Sequence, residues 1–560
     1  MKAPGVFSVL HRRIRGLHEA AYLLALFTFG SQLFALIRDR LLAHTFGAGE
    51  TLDVFYAAFR IPDTMFAILA SMVSLFVLIP FLEDAARESE EAVREFLSNM
   101  FTFFTGALAL IALILWVWAP QILAFLYPGF TPAAFTALVS TVRILLLQPI
   151  ILGVSNLCAA YVQVKGRFLL YATAPILYNI GIIIGILVLY PLIGRTGLAW
   201  GVVLGAGLHL MIQLPFMIER GMVPRFVRPN WKVVRKVVAI SIPRTITLSA
   251  QQFVMLVLVA LASLYGAGGV AAFTLAWNLQ AVPLALIAAS YSVAAFPRLA
   301  RLYSEGDKEA YIDMVRVAAR QIIFWALPAL VLVIVLRAQM VRVILGSGAF
   351  DWDATMQTAA LLALLVVSLV AQGLIVLLVR ACYAAGRTAV PLFLNVGSSI
   401  ATIIITFALL KAAHAGYLNL ASFAAVMRVS GVGGAEVLLI ALSYSLGALI
   451  NMVLLLLYFE REAPAFIRSL ARTTLQSLVA ALVGGVGAYL ALGTLSDMVS
   501  LSTGIGVFVQ GAVAGVLGLA LWGLTLITLE NEDVTDAWAG MHHRITAKRL
   551  SKARGSIEGV

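Results

Sequence analysis

Apolar residues dominate this chain in runs of about twenty or more, separated by short polar breaks. A bilayer core of about 30 Å takes about 20 helical residues to cross, so each run of that length reads as a membrane-spanning helix. In the first half the runs fall at 19–37, 54–82, 99–119, 134–162, 169–192 and 197–218. A second series follows at 237–264, 270–296, 317–336, 357–380, 389–412 and 436–458, and two more lie at 473–495 and 502–529. The pattern predicts an all-α polytopic membrane protein of about 14 transmembrane helices. Within it, span two is expected to be interrupted at Pro62 and to end at Pro80.

The second series repeats the first. Gly47-Ala48-Gly49 returns as Gly266-Ala267-Gly268, and Ala70-Ser71 returns as Ala289-Ser290 at the same offset. Pro80 returns as Pro297, and Pro175, Asn179 and Gly181 return as Pro391, Asn395 and Gly397, all at nearly that offset again. Each of those last copies follows a Tyr and a Gly-Arg step, Tyr161 with Gly166-Arg167 and Tyr383 with Gly386-Arg387. Six helices per unit keep both units in the same orientation, which is a parallel repeat about an axis along the membrane normal. The expected architecture is two pseudo-symmetric six-helix bundles plus two C-terminal helices. The corresponding segments are a basic lead-in at 1–18, bundles at 19–220 and 237–460, a basic linker at 221–236, the extra pair at 461–530 and a basic tail at 531–560. Paired bundles imply a central cleft and alternating access by rocking, the plan of a transporter.

Composition agrees. The 560 residues are 62% hydrophobic and 12% charged, with a mean hydropathy of +0.99. With the N-terminus inside, 29 of the 39 Lys and Arg fall in cytoplasmic segments, so both termini are expected in the cytoplasm. The first apolar run then serves as a signal-anchor span. The net charge of +12 reflects this topology and attraction to anionic membrane lipids. No basic patch interleaved with stacking aromatics suggests nucleic acid. Cys158 and Cys382 lie in spans without CxxC spacing and read as packing residues.

Against this background the stretch 32–80 stands out, because it keeps Arg38, Asp39, Arg40, Asp53, Arg60 and Asp63 among apolar residues. A charge at the centre of a bilayer costs about 2.5–3.5 kcal/mol on insertion scales, so such groups face water, a ligand or one another. For Arg38-Asp39-Arg40 the alternative is a surface turn with snorkelling arginines, an equal reading for Arg40. Arg60, deep in an apolar run, fits that alternative less well. Among the remaining features, His209 reads as packed or locally hydrogen-bonded, and Trp352 between Asp351 and Asp353 reads as an interfacial anchor. No nucleophile–base constellation and no GxxxxGK[ST] loop occurs, so neither an enzyme nor an ATP-driven pump is expected.

These residues carry a resemblance. Ser31, Arg38-Asp39, Phe46–Gly49, Asp53, Phe55, Ala58-Phe59-Arg60 and Pro62 form a pattern similar to the opening of the MurJ/MviN lipid II flippases, of the multidrug/oligosaccharidyl-lipid/polysaccharide exporter superfamily. The likeness continues through Ala119-Pro120, Pro128-Gly129-Phe130, Gln148-Pro149, Pro175, Asn179, Pro243-Arg244, Gln251 and Gly386-Arg387. It implies outward movement of a lipid-linked pyrophosphoryl saccharide for peptidoglycan synthesis in a bacterial inner membrane, with the cell-wall synthesis machinery as a further partner. The extra helix pair would then form an apolar groove for the lipid tail.

A lipid pyrophosphate calls for arginines in a wet cavity, since a guanidinium binds phosphate in two-pronged fashion. Arg38, Arg60, Arg244 and Arg380 are the candidate substrate-binding residues. Asp39 and Asp53 would pair with them or stabilise an outer gate. The resemblance also has gaps: family arginines correspond here to Gln32, Phe66, Ala67 and Asn278. Spans seven and eleven hold no carboxylate, so no bound metal and no cofactor is expected. Other readings of the chain are a related exporter of another polysaccharide-lipid or a drug, and a non-transporting membrane scaffold.

Overall fold

The computed structural model describes residues 17–70, 75–499 and 503–531. Its helices, in chain order, are α1 (Leu17–Phe46), α2 (Glu50–Ala70), α3 (Leu75–Glu88), α4 (Glu90–Leu126), α5 (Pro132–Leu145), α6 (Leu147–Val164) and α7 (Phe168–Ile184). They continue as α8 (Tyr190–Ile193), α9 (Arg195–Met211), α10 (Leu214–Glu219), α11 (Trp231–Ala262), α12 (Gly269–Leu284), α13 (Ser290–Ser304) and α14 (Lys308–Ile344). The last are α15 (Trp352–Val366), α16 (Leu369–Ala384), α17 (Ala389–His414), α18 (Leu420–Val426), α19 (Glu436–Glu462), α20 (Phe466–Ser496) and α21 (Gly504–Thr528). Short π-helical turns, Gly185–Leu189 and Ala285–Ala289, follow α7 and α12.

Eleven helices among the described residues are long and apolar enough to cross a membrane, and twelve if the bent pair α15–α16 is one span. These twelve coincide with the third to fourteenth apolar runs. The first run lies in the long helix α1, and the second is divided between α2 and α3. The helices overrun the apolar stretches where capping permits it. Thus α4 starts well before its run, at Glu90, because the Ser89 side chain accepts from the Ala92 amide and Glu90 and Glu91 lie in the first turn.

Both proline expectations for span two are corrected. Helix α2 passes through Pro62 to Ala70, and α3 passes through Pro80 to Glu88. A proline removes one backbone bond, and neighbouring groups in a membrane helix take up the freed acceptor.

The chain divides into two compact units. One takes the described residues within 1–279, 344–361 and 388–447; the other takes those within 280–343, 362–387 and 448–560. In the first, α7 and α9 approach closely along Gly181, Gly185, Gly201 and Gly205. A Cβ on Gly181 would overlap the Gly205 backbone, and one on Gly185 would lie 2.6 Å from the Gly201 Cα. This is the small-residue spacing that lets membrane helices touch through their backbones. A second core, with Leu97, Met100, Cys158, Tyr161 and Phe216, gathers α3, α4, α6, α10 and the start of α11.

In the second unit, Phe324 and Trp325 of α14 pack on Trp522 of α21, with ring centroids 5.0 and 5.6 Å away. Gly484 and Gly518 join α20 to α21. The break before α16 is held by polar groups: Gln280 and Gln372 both donate to the Ser368 hydroxyl, at 3.1 and 2.7 Å.

Candidate functional site

The polar residues of α2 recur at Asp53, Tyr56, Arg60 and Asp63, steps of three and four that put them on one helical face. Helices α1, α6, α7 and α12 supply the rest. Arg38, in the C-terminal half of α1, directs Nε and Nη2 to Asp39 Oδ1 at 3.0 and 2.8 Å and Nη1 to Asn179 Oδ1 at 2.9 Å. The other carboxylate oxygen of Asp39 accepts from the Asn278 amide at 2.9 Å. Asp39 is 1% exposed and Asn179 6%, so the cluster is desolvated and each of these contacts is worth more than it would be in water. The charges of Arg38 and Asp39 cancel within it.

Arg60 is different. Among the described residues its guanidinium has no hydrogen-bond or ion-pair partner, and its Nε is shut off from solvent. Asp63 feels its field without forming an ion pair. Tyr56 Oη and Gln148 Oε1 are likewise buried and unbonded. Gln148 uses its amide nitrogen on Tyr178 Oη at 3.1 Å. Orphaned polar atoms in a desolvated setting are costly, each about 1–3 kcal/mol, unless something else occupies the site.

The sequence-predicted residues therefore separate. Arg38 and Asp39 come together, and Arg60 lies on the polar stripe of α2 in the same unit. Asp53 does not pair with an arginine: its carboxylate accepts from the Gly268 amide at 2.6 Å and the Ala271 amide at 2.7 Å. This corrects the charge-pairing expectation. The physical reason is the helix start at Gly269, whose free amides and positive dipole end attract a carboxylate. Arg244 falls in α11, but its side chain lies outside the described residues. Arg380 lies on α16 in the second unit, partly buried and engaged in an interaction. Asn179, Asn278, Tyr56, Gln148 and Tyr178 join the site without a sequence motif that points to them. The signal available for them was a polar side chain in an apolar run.

Next to Asp53 the repeated turns meet. Gly348 has φ 60°, and a Cβ there would overlap the His44 carbonyl oxygen, which also accepts from the Ala349 amide at 2.9 Å. The repeat contains this contact twice. Gly348 follows Gly129, and Ser263 follows His44, at the same offset that separates Gly266 from Gly47. Correspondingly, a Cβ on Gly129 would overlap the Ser263 carbonyl oxygen. Each repeat thus lays the turn after its long helix on the end of the other repeat's first helix. Between them Gly268, at φ 92°, sits on the Ala48 carbonyl. This end of the unit is closed by backbone contact.

Other sequence features resolve locally. His209 Nδ1 and the Ser155 hydroxyl are 2.7 Å apart, and Gln213 donates to Ser155 at 2.8 Å. Asp351 Oδ1 accepts from the Ala354 amide at 2.8 Å, capping α15, while Trp352 is exposed. Both Gly-Arg steps form the same turn, the Arg167 amide donating to the Val162 carbonyl and the Arg387 amide to that of Cys382. Arg387 continues to Glu462 and Tyr458, which hold its guanidinium above the ordinary arginine range. Both cysteines are free and buried. Among the described residues no three His, Cys, Asp or Glu side chains gather as a metal site requires.

Fold and site define a polytopic helical membrane protein of the twin-repeat transporter class. Residues 42–433 match the family described as lipid II flippase MurJ, and the chain belongs to that family. Similar curated proteins include the lipid II flippase MurJ of Burkholderia cenocepacia, 25% identical over 386 residues, covering 67% of this chain and 75% of the relative. Another is the probable lipid II flippase MurJ of Buchnera aphidicola subsp. Acyrthosiphon pisum, 27% identical over 376 residues, covering 66% and 73%. Among solved structures, lipid II flippase MurJ in an inward closed conformation matches with a TM-score of 0.71 at 18% identity, over 91% of this chain and all (100%) of that one. An inward-facing multidrug resistance MATE family transporter of the MOP superfamily matches at 0.63 and 15% identity, over 78% and 96%. Both show the fold.

Proposed function

We propose that this protein moves a lipid-linked cell-wall precursor, a lipid II-like polyprenyl pyrophosphoryl saccharide, from the inner to the outer leaflet of the bacterial inner membrane. Family membership supports the substrate class. The observation that carries the reading in this chain is the unpartnered Arg60 guanidinium on the polar face of α2. An unpaired cation among apolar helices is expensive unless an anion visits it. Arg60 takes the ligand phosphate, with Arg244 of the same unit as a further phosphate contact. Arg38 is held by Asp39 and Asn179, so it reaches the ligand only if that pairing loosens.

With both termini cytoplasmic, the closed end around Gly47, Gly129, Gly268 and Gly348 faces outward. Asp53, on the amides that open α12, belongs to that outer gate. The two repeats rock about the site, opening the gate as the cytoplasmic side shuts. Two negative charges moving outward across an inside-negative membrane gain about 4–5 kcal/mol per 100 mV, so the potential can drive the step without ATP. No bond is broken; the protein acts as a transporter and not as an enzyme.

The test is rescue of growth in bacteria depleted of their own flippase, with membrane insertion checked by immunoblot. Rescue by the natural chain and failure by Arg60→Ala at equal membrane abundance is the expected result. A well-inserted protein that never rescues would remove lipid II as its substrate in that host.

A further inference from the structure

We infer that the linker between the repeats is a docking surface for anionic phospholipid headgroups, independent of the transported substrate. Residues 220–240 contain Arg220, Arg225, Arg228, Lys232, Arg235 and Lys236 and no Asp or Glu. All six cations are exposed. Acidic side chains flank the strip at Glu219 and on the first turns of α4, where Glu91 is taken by Arg94 at 3.0 Å.

The linker has a fixed position. The Arg225 amide donates to the Ser98 hydroxyl at 3.2 Å, the Val227 amide to the Thr102 hydroxyl at 3.0 Å, and the Asn230 amide to Asn99 Oδ1 at 2.7 Å. The Arg94 guanidinium fixes the other end on the Gly221 carbonyl at 3.0 Å. Those α4 side chains lie where its apolar run begins, at 99, so the strip runs at the depth of the headgroups. Two aromatic side chains on it stay open: Phe226 is 72% exposed and Trp231 64%, although each rests one edge on α4, against Phe101 and Phe103. Six exposed cations with two open aromatic side chains at interface depth match a leaflet of anionic lipid: the rings sit at the headgroup level and the cations meet the phosphates. A soluble acidic partner would not need the rings at that depth.

The full-length protein is placed in nanodiscs of phosphatidylcholine, with or without phosphatidylglycerol, and amide hydrogen exchange is followed across 221–232. Phosphatidylglycerol is expected to slow exchange there, and high salt to reverse the slowing. Native mass spectrometry of Arg228→Gln/Lys232→Gln, two side chains outside the α4 bonds, is expected to show retention of phosphatidylglycerol about tenfold weaker. Equal exchange of the natural protein in the two lipids would overturn the inference, leaving the strip to a soluble acidic partner. That comparison needs no variant, and it stands or falls separately from any transport result.

Discussion

Asp53 shows how a single side chain can join two distant parts of the chain. Its carboxylate accepts two amides from the start of α12, in the second repeat. Charge-assisted bonds of this kind contribute about 1.5–3 kcal/mol each. Asp53→Ala should therefore lower the melting temperature of the detergent-solubilised protein by several degrees, whereas Asp53→Asn, which can still accept one amide, should lower it less. Asn278→Ala would leave Asp39 Oδ2 without its donor at 2.9 Å and should cost about 1–3 kcal/mol in the same melt. Arg60→Ala should behave oppositely, leaving the melt unchanged or raised while rescue is lost. At this scale the sequence disclosed the Arg38–Asp39 pair through adjacency. It could not disclose the partners of Asp53, because backbone amides have no side-chain signature. Nor could it show that Asn278 would land on Asp39.

Among the elements, hydrophobic run length was enough to place spans three to fourteen. Proline was the misleading signal: Pro62 and Pro80 sit inside helices, because a membrane leaves the chain no better way to satisfy its amides. Glycine spacing carries a packing signal. Gly181 and Gly185 meet Gly205 and Gly201 backbone to backbone, so Gly201→Leu should force α7 and α9 apart. The expected result is loss of most folded protein on size-exclusion chromatography in detergent, with Gly207→Leu, which meets no atom within 4 Å, as the tolerated control. Gln280, Ser368 and Gln372 illustrate what run length hides. They look like blemishes in apolar stretches, yet they are the hydrogen-bond set at the broken span.

For the whole molecule, the constant offset between the copies did more than reveal a repeat. It links the contact of Gly348 with His44 to that of Gly129 with Ser263, two copies of one contact. On the proposed function this duplicated contact is the outer gate, since both copies can open in one movement. Joining His44→Cys and Ser347→Cys with a short thiol cross-linker, after replacing Cys158 and Cys382 by Ala, should block rescue in depleted cells. Cleaving the linker should restore it. The same offset said nothing about which arginines stay free, because charge pairing depends on side-chain geometry that differs between the copies.

The most direct measurement of the central claim uses purified protein in liposomes carrying fluorescent lipid II. A membrane-impermeant quencher reports which leaflet holds the label. With an imposed potential, the natural protein should make inner-leaflet label accessible faster than empty liposomes do, and Arg60→Ala should return the rate to the empty-liposome value. Movement of lipid II that is indistinguishable between Arg60→Ala and the natural chain, or absent from both, would contradict the account.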